Sequence, residues 1–266
     1  MNLCKMKLTG ILIFLLVFAT CAWPANEAEP AFKITPGEEL TYTATWMHFR
    51  IATLTLCVCD TLRINNQLTC HTQFRIKSNP LLFFVNVNGV FESWIDKNFN
   101  PHLYVSNEND RNMKYQMKYQ FDYKARLITV NQFSIIDTIR TVTKQIPFDD
   151  KIFDGTSLIF YIRNRILKPG TETLTLIEGG ETKELQLTVK GQTERVKCSA
   201  LKNVFDTVEV EGNSDFVSTG GFSGKFKLWI TKDKFRIPLK ISMQAFLGHV
   251  NLKLESWKQP NEYLVN

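Results

Sequence analysis

The sequence predicts a mainly β protein, a curved antiparallel sheet or half-open β-barrel packed around one principal α-helix at about residues 154–168. Three observations carry that reading. Apolar and polar residues alternate with a period of two along most of the chain, as half-buried strands require. Turn signals separate these runs at intervals of roughly 8–12 residues, the spacing of barrels and sandwiches. One segment alone, residues 154–170 (DGTSLIFYIRNRILKPG), has a helix start, a broad apolar surface and a helix stop.

The alternation begins with Leu40, Tyr42, Ala44 and Trp46 on one face and Thr41, Thr43 and Thr45 on the other. Residues 51–60 and 67–77 form the next two strands, joined through Asn65-Asn66, a pair that tolerates positive φ. Asn79-Pro80 breaks the pattern, and the apolar run 81–85 reads as a short helix or a loop folded over the core. In residues 112–122, Met113, Tyr115, Met117, Tyr119 and Phe121 line one face and Lys114, Gln116, Lys118 and Gln120 the other. Residues 122–125 make a turn and 126–131 a strand. After the helix, residues 172–177 and 184–190 form a hairpin around Glu178-Gly179-Gly180-Glu181. Strands at 195–200, 204–210, 239–245 and 250–255 complete the series.

In the helical segment, Asp154, Thr156 and Ser157 offer side-chain oxygens to the unpaired amides of a first turn. Leu158, Ile159, Phe160, Tyr161, Ile162, Ile166 and Leu167 make an apolar surface wider than one stripe. Arg163, Arg165 and Lys168 suit the negative end of the helix dipole, and Pro169-Gly170 stops the helix. If Tyr161 looks into the core, Arg163 points toward a sheet edge or solvent, where it pairs with a nearby carboxylate.

A short repeat frames this helix. Gly89-Val-Phe91-Glu-Ser-Trp94-Ile95-Asp-Lys97 is echoed by Gly224-Lys-Phe226-Lys-Leu-Trp229-Ile230-Thr-Lys232. Each copy is followed by a polar turn and by a proline, Pro101 or Pro238, that opens a return strand, where a missing N–H costs least. Two such hairpins predict pseudo-symmetric halves of one sheet.

Lys5 and Lys7 followed by an apolar run from Leu8 to Ala19 have the form of a signal peptide, too short to span a membrane. Cleavage after Ala22 gives residues 1–22 as leader, 23–36 as linker, 37–257 as a single β-rich domain and 258–266 as a C-terminal tail. Cys21 leaves open an outer-membrane lipoprotein instead of a free periplasmic protein. No second long apolar run follows, so no transmembrane span is expected after leader removal. The formal net charge of +6 falls by two when the leader lysines leave, and scattered Lys and Arg residues describe a solvated face, without a nucleic-acid surface.

Four cysteines remain after the leader: Cys57, Cys59, Cys70 and Cys198. Strand parity puts Cys57 and Cys59 on the face opposite Leu54, Leu56 and Val58, whereas Cys70 shares the apolar face of Leu68, Phe74 and Ile76. Cys70 therefore cannot meet either without a bulge, and Cys57 and Cys59 in one extended strand are poorly placed for each other. Free thiols or one bond to Cys198 are the expectations. The set Cys57, Cys59, Cys70, His71 matches no metal-binding spacing, so neither metal nor cofactor is expected.

No nucleophile, zinc or phosphate-loop motif is present, and a non-enzymatic role is expected. The Met/Tyr/Phe face with Phe160 and Tyr161 is either ordinary core or the wall of an apolar cavity. The ligand-binding candidates are accordingly Met113, Tyr115, Met117, Tyr119, Phe121, Phe160 and Tyr161, for a lipid or acyl chain. The alternative is an envelope scaffold with a filled core and a protein partner, its function seated on loops such as 105–111 and 212–224.

Several motifs recur together in one known family: Pro36-Gly37-Glu38-Glu39-Leu40-Thr41-Tyr42, the Asp154-x-x-Ser157-x-x-x-Tyr161-x-Arg163 pattern, Lys168-Pro169-Gly170 and the hairpin from Trp229 to Pro238. In order and spacing the chain resembles the bacterial exported proteins called domain of unknown function 3108, over roughly residues 33–257. The resemblance implies a bacterial cell-envelope protein, mostly β, with no assigned reaction. The architecture is similar, more faintly, to the half-open barrels of periplasmic lipoprotein carriers, the localisation factors A and B. Those hold acyl chains between a curved sheet and covering helices.

Overall fold

The computed structural model describes residues 32–81, 87–110, 113–134, 141–149, 151–214, 222–245 and 247–260. They form one 15-stranded sheet and one helix. A first meander runs through β1 (Glu39–Trp46), β2 (Phe49–Ile64), β3 (Gln67–Ser78), β4 (Val87–Ile95), β5 (Pro101–Asp110), β6 (Met113–Asp122), β7 (Leu127–Ser134) and β8 (Thr141–Pro147). The chain then crosses to the far end of the sheet, where β9 (Ile152–Phe153) pairs in parallel with β10. Helix α1 (Gly155–Arg165) follows. A second meander of β10 (Gly170–Glu178), β11 (Glu181–Cys198), β12 (Asn203–Asn213), β13 (Phe222–Thr231), β14 (Pro238–Ala245) and β15 (His249–Lys258) returns to β1. The strand order is β8-β7-β6-β5-β4-β3-β2-β1-β15-β14-β13-β12-β11-β10-β9. The sheet curves but does not close, and its open edges are β8 and β9.

The expected fold class is therefore the observed one, with three local corrections. Residues 101–110 are strand β5 throughout, so no loop lies at 105–110; Arg111 and residues 215–221 lie outside the described residues, as do 82–85 of the apolar run. The expected strands at 184–190 and 195–200 are one long strand, β11, whose register slips between Val189 and Thr193. Leu68 is exposed, because the β2–β3 hairpin runs past the edge of the core.

α1 begins as its sequence dictates. Asp154 is the N-cap in extended geometry; its Oδ1 accepts from the amides of Thr156 (2.8 Å) and Ser157 (2.9 Å), and Ser157 Oγ accepts from the Asp154 amide at 3.0 Å. This reciprocal box satisfies the first-turn donors that a helix otherwise leaves unpaired. Leu158, Phe160, Ile162 and Ile166 are buried in one cluster with inward residues of β1, β2, β10–β15.

Both ends of α1 are tied to the echoing hairpins. At the N-terminus, Ser93 Oγ on β4 donates to Asp154 Oδ2 at 2.6 Å. In the last turn, Arg163 reaches the β13–β14 turn and the residue before β1. Its Nη1 and Nη2 donate to Glu38 Oε2 and Oε1 at 2.8 and 2.7 Å, its Nε to the Arg236 carbonyl at 3.0 Å and its Nη2 to the Phe235 carbonyl at 2.8 Å. Arg236 returns the contact by donating to the Asn164 carbonyl at 3.1 Å. The Phe32 ring lies 4.5 Å from the Arg163 guanidinium. Arg163 is only 1 % exposed, so the expectation of a carboxylate partner holds while its orientation toward an edge or solvent does not. The partner lies 125 positions upstream, beyond the reach of local pattern.

The hairpin echo is structural. β4–β5 and β13–β14 are both hairpins, with register shifts at Trp94/Ile95 and at Trp229/Ile230. Asp96 pins one turn by accepting from the amides of Asn98 and Asn100, and Asp233 pins the other by accepting from Phe235 and Arg236. A non-glycine residue in the left-handed region, Phe99 (φ 67°) or Arg236 (φ 48°), stands two places before each proline. In the second hairpin that conformation presents the carbonyls that Arg163 grips.

Removing the guanidinium leaves Glu38 as a buried uncompensated charge. Arg163→Ala is expected to cost about 3–5 kcal/mol in urea unfolding, and Arg163→Lys to recover little, because an ammonium lacks the planar fork. The pair Glu38→Leu/Arg163→Met should lose less than Arg163→Ala alone. Equal loss would mean that the ion pair is not what holds this end of the helix.

Candidate functional site

The expected cavity residues fall into two places. Met117, Tyr119 and Phe121 on β6 are buried with Ile128 and Val130 on β7, Phe148, Ile152 on β9 and Ile177 on β10. Tyr115 is partly buried beside them, while the Met113 side chain lies outside what the structure describes. Phe160 is fully buried in the larger cluster. Tyr161 is partly buried there, and its hydroxyl donates to Glu172 Oε2 at 2.8 Å. Burial and the Glu172 carboxylate push its pKa up to about 12. Tyr161 packs against Phe153, with ring centroids 4.6 Å apart.

The β6 cluster is the seam between the two arms of the sheet. It joins β6 and β7 to β9 and β10 by side chains, where a closed barrel would use strand pairing. The Gly180 amide, in the β10–β11 turn, donates to Tyr119 Oη at 3.0 Å. Gly180 has φ +72°, and a Cβ there would stand 3.3–3.4 Å from Lys144, Val130 and Met117, so conformation and space both call for glycine. Two carboxylates face this seam. Glu108 accepts from Tyr115 Oη at 2.7 Å and Ser106 Oγ at 3.2 Å. Glu178, at the end of β10, is pushed up to about 7 by burial and then by the charge of Glu108, against the pull of Lys183. Burial also raises Asp154 to about 6, against its hydrogen bonds from Ser93, Ser157 and Thr156.

A second feature was not expected from the sequence. Met47 (54 % exposed), Leu81 (85 %) and Leu247 (57 %) are large apolar side chains at turns, and Phe49 (59 %) opens strand β2. Pairing sets them side by side: Trp46 opposes both Phe49 and Val250, so the β1–β2 and β14–β15 turns are neighbours. Trp46 Nε1 donates to the Leu247 carbonyl at 2.7 Å. The Asn79 side chain donates to the Arg50 carbonyl at 3.0 Å and its amide to the Ile51 carbonyl at 2.7 Å, bringing residues 79–81 to the start of β2. Met47 (φ 45°) and His48 (φ 74°) both occupy the left-handed region, as a type I′ turn demands, at positions where Asn-Gly is the easy choice. Such strain is retained mostly where a site depends on it. Beside these tips lies a cleft of about 340 Å³ lined by Arg50, Ala52, Thr53, Lys77, Ser78, Asn79 and Pro80. The available sequence signal was apolar residues at turn tips, where polar ones are usual.

The raised carboxylates set a pH dependence. Their folded pKa values lie above the unfolded ones, so the stability they contribute is full below about pH 4 and is lost as pH rises through about 6 for Asp154 and about 7 for Glu178. Glu178→Gln should therefore raise stability at pH 8 by on the order of 1–3 kcal/mol. It should change little at pH 4. Thermal melts across this range check it; a uniform shift at all pH values would contradict the assignment.

The amino-acid sequence matches the family described as Protein of unknown function (DUF3108) over residues 41–255. Curated proteins yield no match. Among solved structures, the chain is similar to a β-barrel-like protein of domain of unknown function DUF1849 from Brucella abortus. That match has 9 % identity, covers 85 % of this chain and 98 % of that one, and has a TM-score of 0.53. A candidate exported protein with a YmcC-like fold from Bacteroides fragilis aligns at 10 % identity over 86 % of this chain and 99 % of its own, with a TM-score of 0.37. A candidate lipoprotein from Parabacteroides distasonis aligns at 10 % identity over 85 % and 97 %, with a TM-score of 0.34. The first likeness bears on fold alone, and the other two are too loose to carry an argument. The match over residues 41–255, with the ordered motifs of strand β1, helix α1 and the second hairpin, establishes that the chain belongs to the DUF3108 family of proteins of unknown function.

Proposed function

We propose that this chain is an exported, non-enzymatic protein of the bacterial envelope that works as a docking scaffold. In this reading the half-barrel is a filled support, and its apolar-tipped end engages a protein partner. One observation carries it: the described inward side chains of α1 and β6 pack against protein atoms, while four large apolar side chains stand exposed together at one end of the sheet. The adjoining cleft, with Lys77 and Arg50 beside Ala52 and Pro80, suits an inserted side chain better than a flat surface does. Export is supported by the basic and apolar leader pattern of residues 1–22 and the small residues at Thr20 and Ala22. No helix among the described residues is long and apolar enough to cross a membrane.

A carried acyl chain is the second reading. It is favoured by the seam at Met117, Tyr119 and Phe121, which side-chain packing, without strand pairing, holds shut between open edges.

Two measurements separate the readings. Organic extraction of the protein purified from its native envelope, followed by lipid mass spectrometry, is expected to find no stoichiometric lipid; one lipid per chain would overturn the filled scaffold. A photo-crosslinker at Leu247 is expected to capture one defined envelope protein, and Phe49→Ser to reduce that product at least about tenfold, the loss of a buried aromatic anchor. Flotation with lipid vesicles in place of a protein adduct, or equal capture from a crosslinker at Leu68, would contradict a protein-docking end.

A further inference from the structure

Cys57 and Cys59 stand closer together than a regular extended strand places residues two apart. The register of β2 with β3 passes from Val58–Thr72 to Asp60–His71, so Cys59 is the extra residue of a β-bulge. The ladder with β1 ends at Glu39–Cys57, leaving Cys59 beyond it. Alternation sets both side chains on one face of β2, and at the bulge their Sγ atoms stand 3.5 Å apart. Cys59 is exposed and Cys57 partly so; neither is in a disulfide. The expectation that these two thiols are poorly placed for each other is therefore corrected. A bond of about 2.05 Å needs the sulfurs to close by roughly 1.5 Å. Cys59 can supply that movement, because its backbone is held in neither neighbouring ladder.

We propose that Cys57 and Cys59 are a redox-active dithiol that exchanges reversibly with external disulfides. One thiolate attacks the external disulfide R–S–S–R and expels RS⁻, giving a mixed disulfide. The second thiolate then attacks the protein sulfur of that bond, closes Cys57–Cys59 and expels the second RS⁻. The two protons lost by the cysteines end on the two RSH products, and the electron pair that leaves the dithiol reduces the external disulfide. A ring closed over one intervening residue is strained, which places such a bond among labile rather than structural disulfides.

The surroundings set the rate. Partial burial, the Cys57 thiol and the carboxylates of Asp60 and Glu92 push the Cys59 pKa up to about 12. The ionisable groups on this side are Glu39 on β1, Asp60 on β2, His71 on β3, which bonds Glu92 at 3.0 Å, and Glu92 on β4. Thiolate is scarce at neutral pH, so exchange should accelerate as pH rises. The bulge also touches the helix anchor. Val58, between the two cysteines, accepts from the Gly37 amide at 2.8 Å and donates to the Glu38 carbonyl at 2.9 Å, and Glu38 holds Arg163. Closing the disulfide therefore acts on the residue that fixes the last turn of α1.

Equilibration of the full mature chain in mixtures of reduced and oxidised glutathione tests this. Acid quenching, alkylation and trypsin digestion place both thiols in one peptide, residues 51–63, apart from Cys70 and Cys198. The expected product is that peptide lighter by two hydrogens, formed progressively with oxidised glutathione and reversed by dithiothreitol. Cys57→Ser should instead leave Cys59 in a mixed disulfide with glutathione. Buried Cys198 should stay unmodified, which reports that the fold is intact. Two alkylated thiols at every ratio would overturn the proposal. So would glutathione on both cysteines without the internal bond, or a link to Cys70, Cys198 or a second copy. The wild-type peptide decides the matter even if the serine variant does not fold.

Discussion

One buried ion pair organises the rest of this structure. Arg163 is carried by the only helix among the described residues, and Glu38 precedes the strand at which the two meanders join. A guanidinium taken out of water is tolerable only when its donors are satisfied. Here both Glu38 oxygens and two carbonyls of the β13–β14 turn receive them. Trp257 Nε1, on β15, also approaches Glu38 Oε1, at 3.3 Å. The helix end, the start of β1, the β13–β14 turn and β15 are thus fixed by one node. Asp154 and Ser93 do the same at the other end of the helix, on the matching hairpin.

This arrangement explains how a sheet with two open edges stays curved. Closure by pairing β8 to β9 would satisfy their backbones, but the chain uses α1 as a strut across the concavity and a side-chain seam at β6 and β10. Side-chain seams have less directional hydrogen bonding than strand ladders. The Gly180 amide on Tyr119 Oη is one direct bond that stitches it. The elevated carboxylates sit at the seam and the helix start, where packing has displaced water.

Much of the fold was legible in the sequence because its signals are local. The alternation of Leu40, Tyr42 and Ala44, the Asn65-Asn66 turn, the Asp154/Ser157 box and the echo around Trp94 and Trp229 each depend on a few adjacent residues. What remained hidden is non-local or turns on a single inserted residue. Nothing near Arg163 in sequence announces Glu38, so its burial could not be read. The bulge at Cys59, where the sulfurs of Cys57 and Cys59 stand 3.5 Å apart, depends on one inserted residue and leaves no compositional mark. The Met117 to Phe121 face was correctly read as apolar, but whether it met solvent, ligand or protein depended on Ile152 and Ile177, which the crossover brings from the far edge. The exposed tips at Met47 and Leu247 become a single patch only through the β1–β15 pairing.

The central claim is that α1 is an integral strut, anchored at both ends, and not a flap over a cavity. Native-state hydrogen exchange of the α1 amides tests it most directly. Amides hydrogen-bonded within residues 158–165 should exchange only through the global unfolding that also releases β1 and the β13–β14 turn, with the same free energy and denaturant dependence. Exchange of the helix through a separate opening several kcal/mol below the strands would contradict the strut.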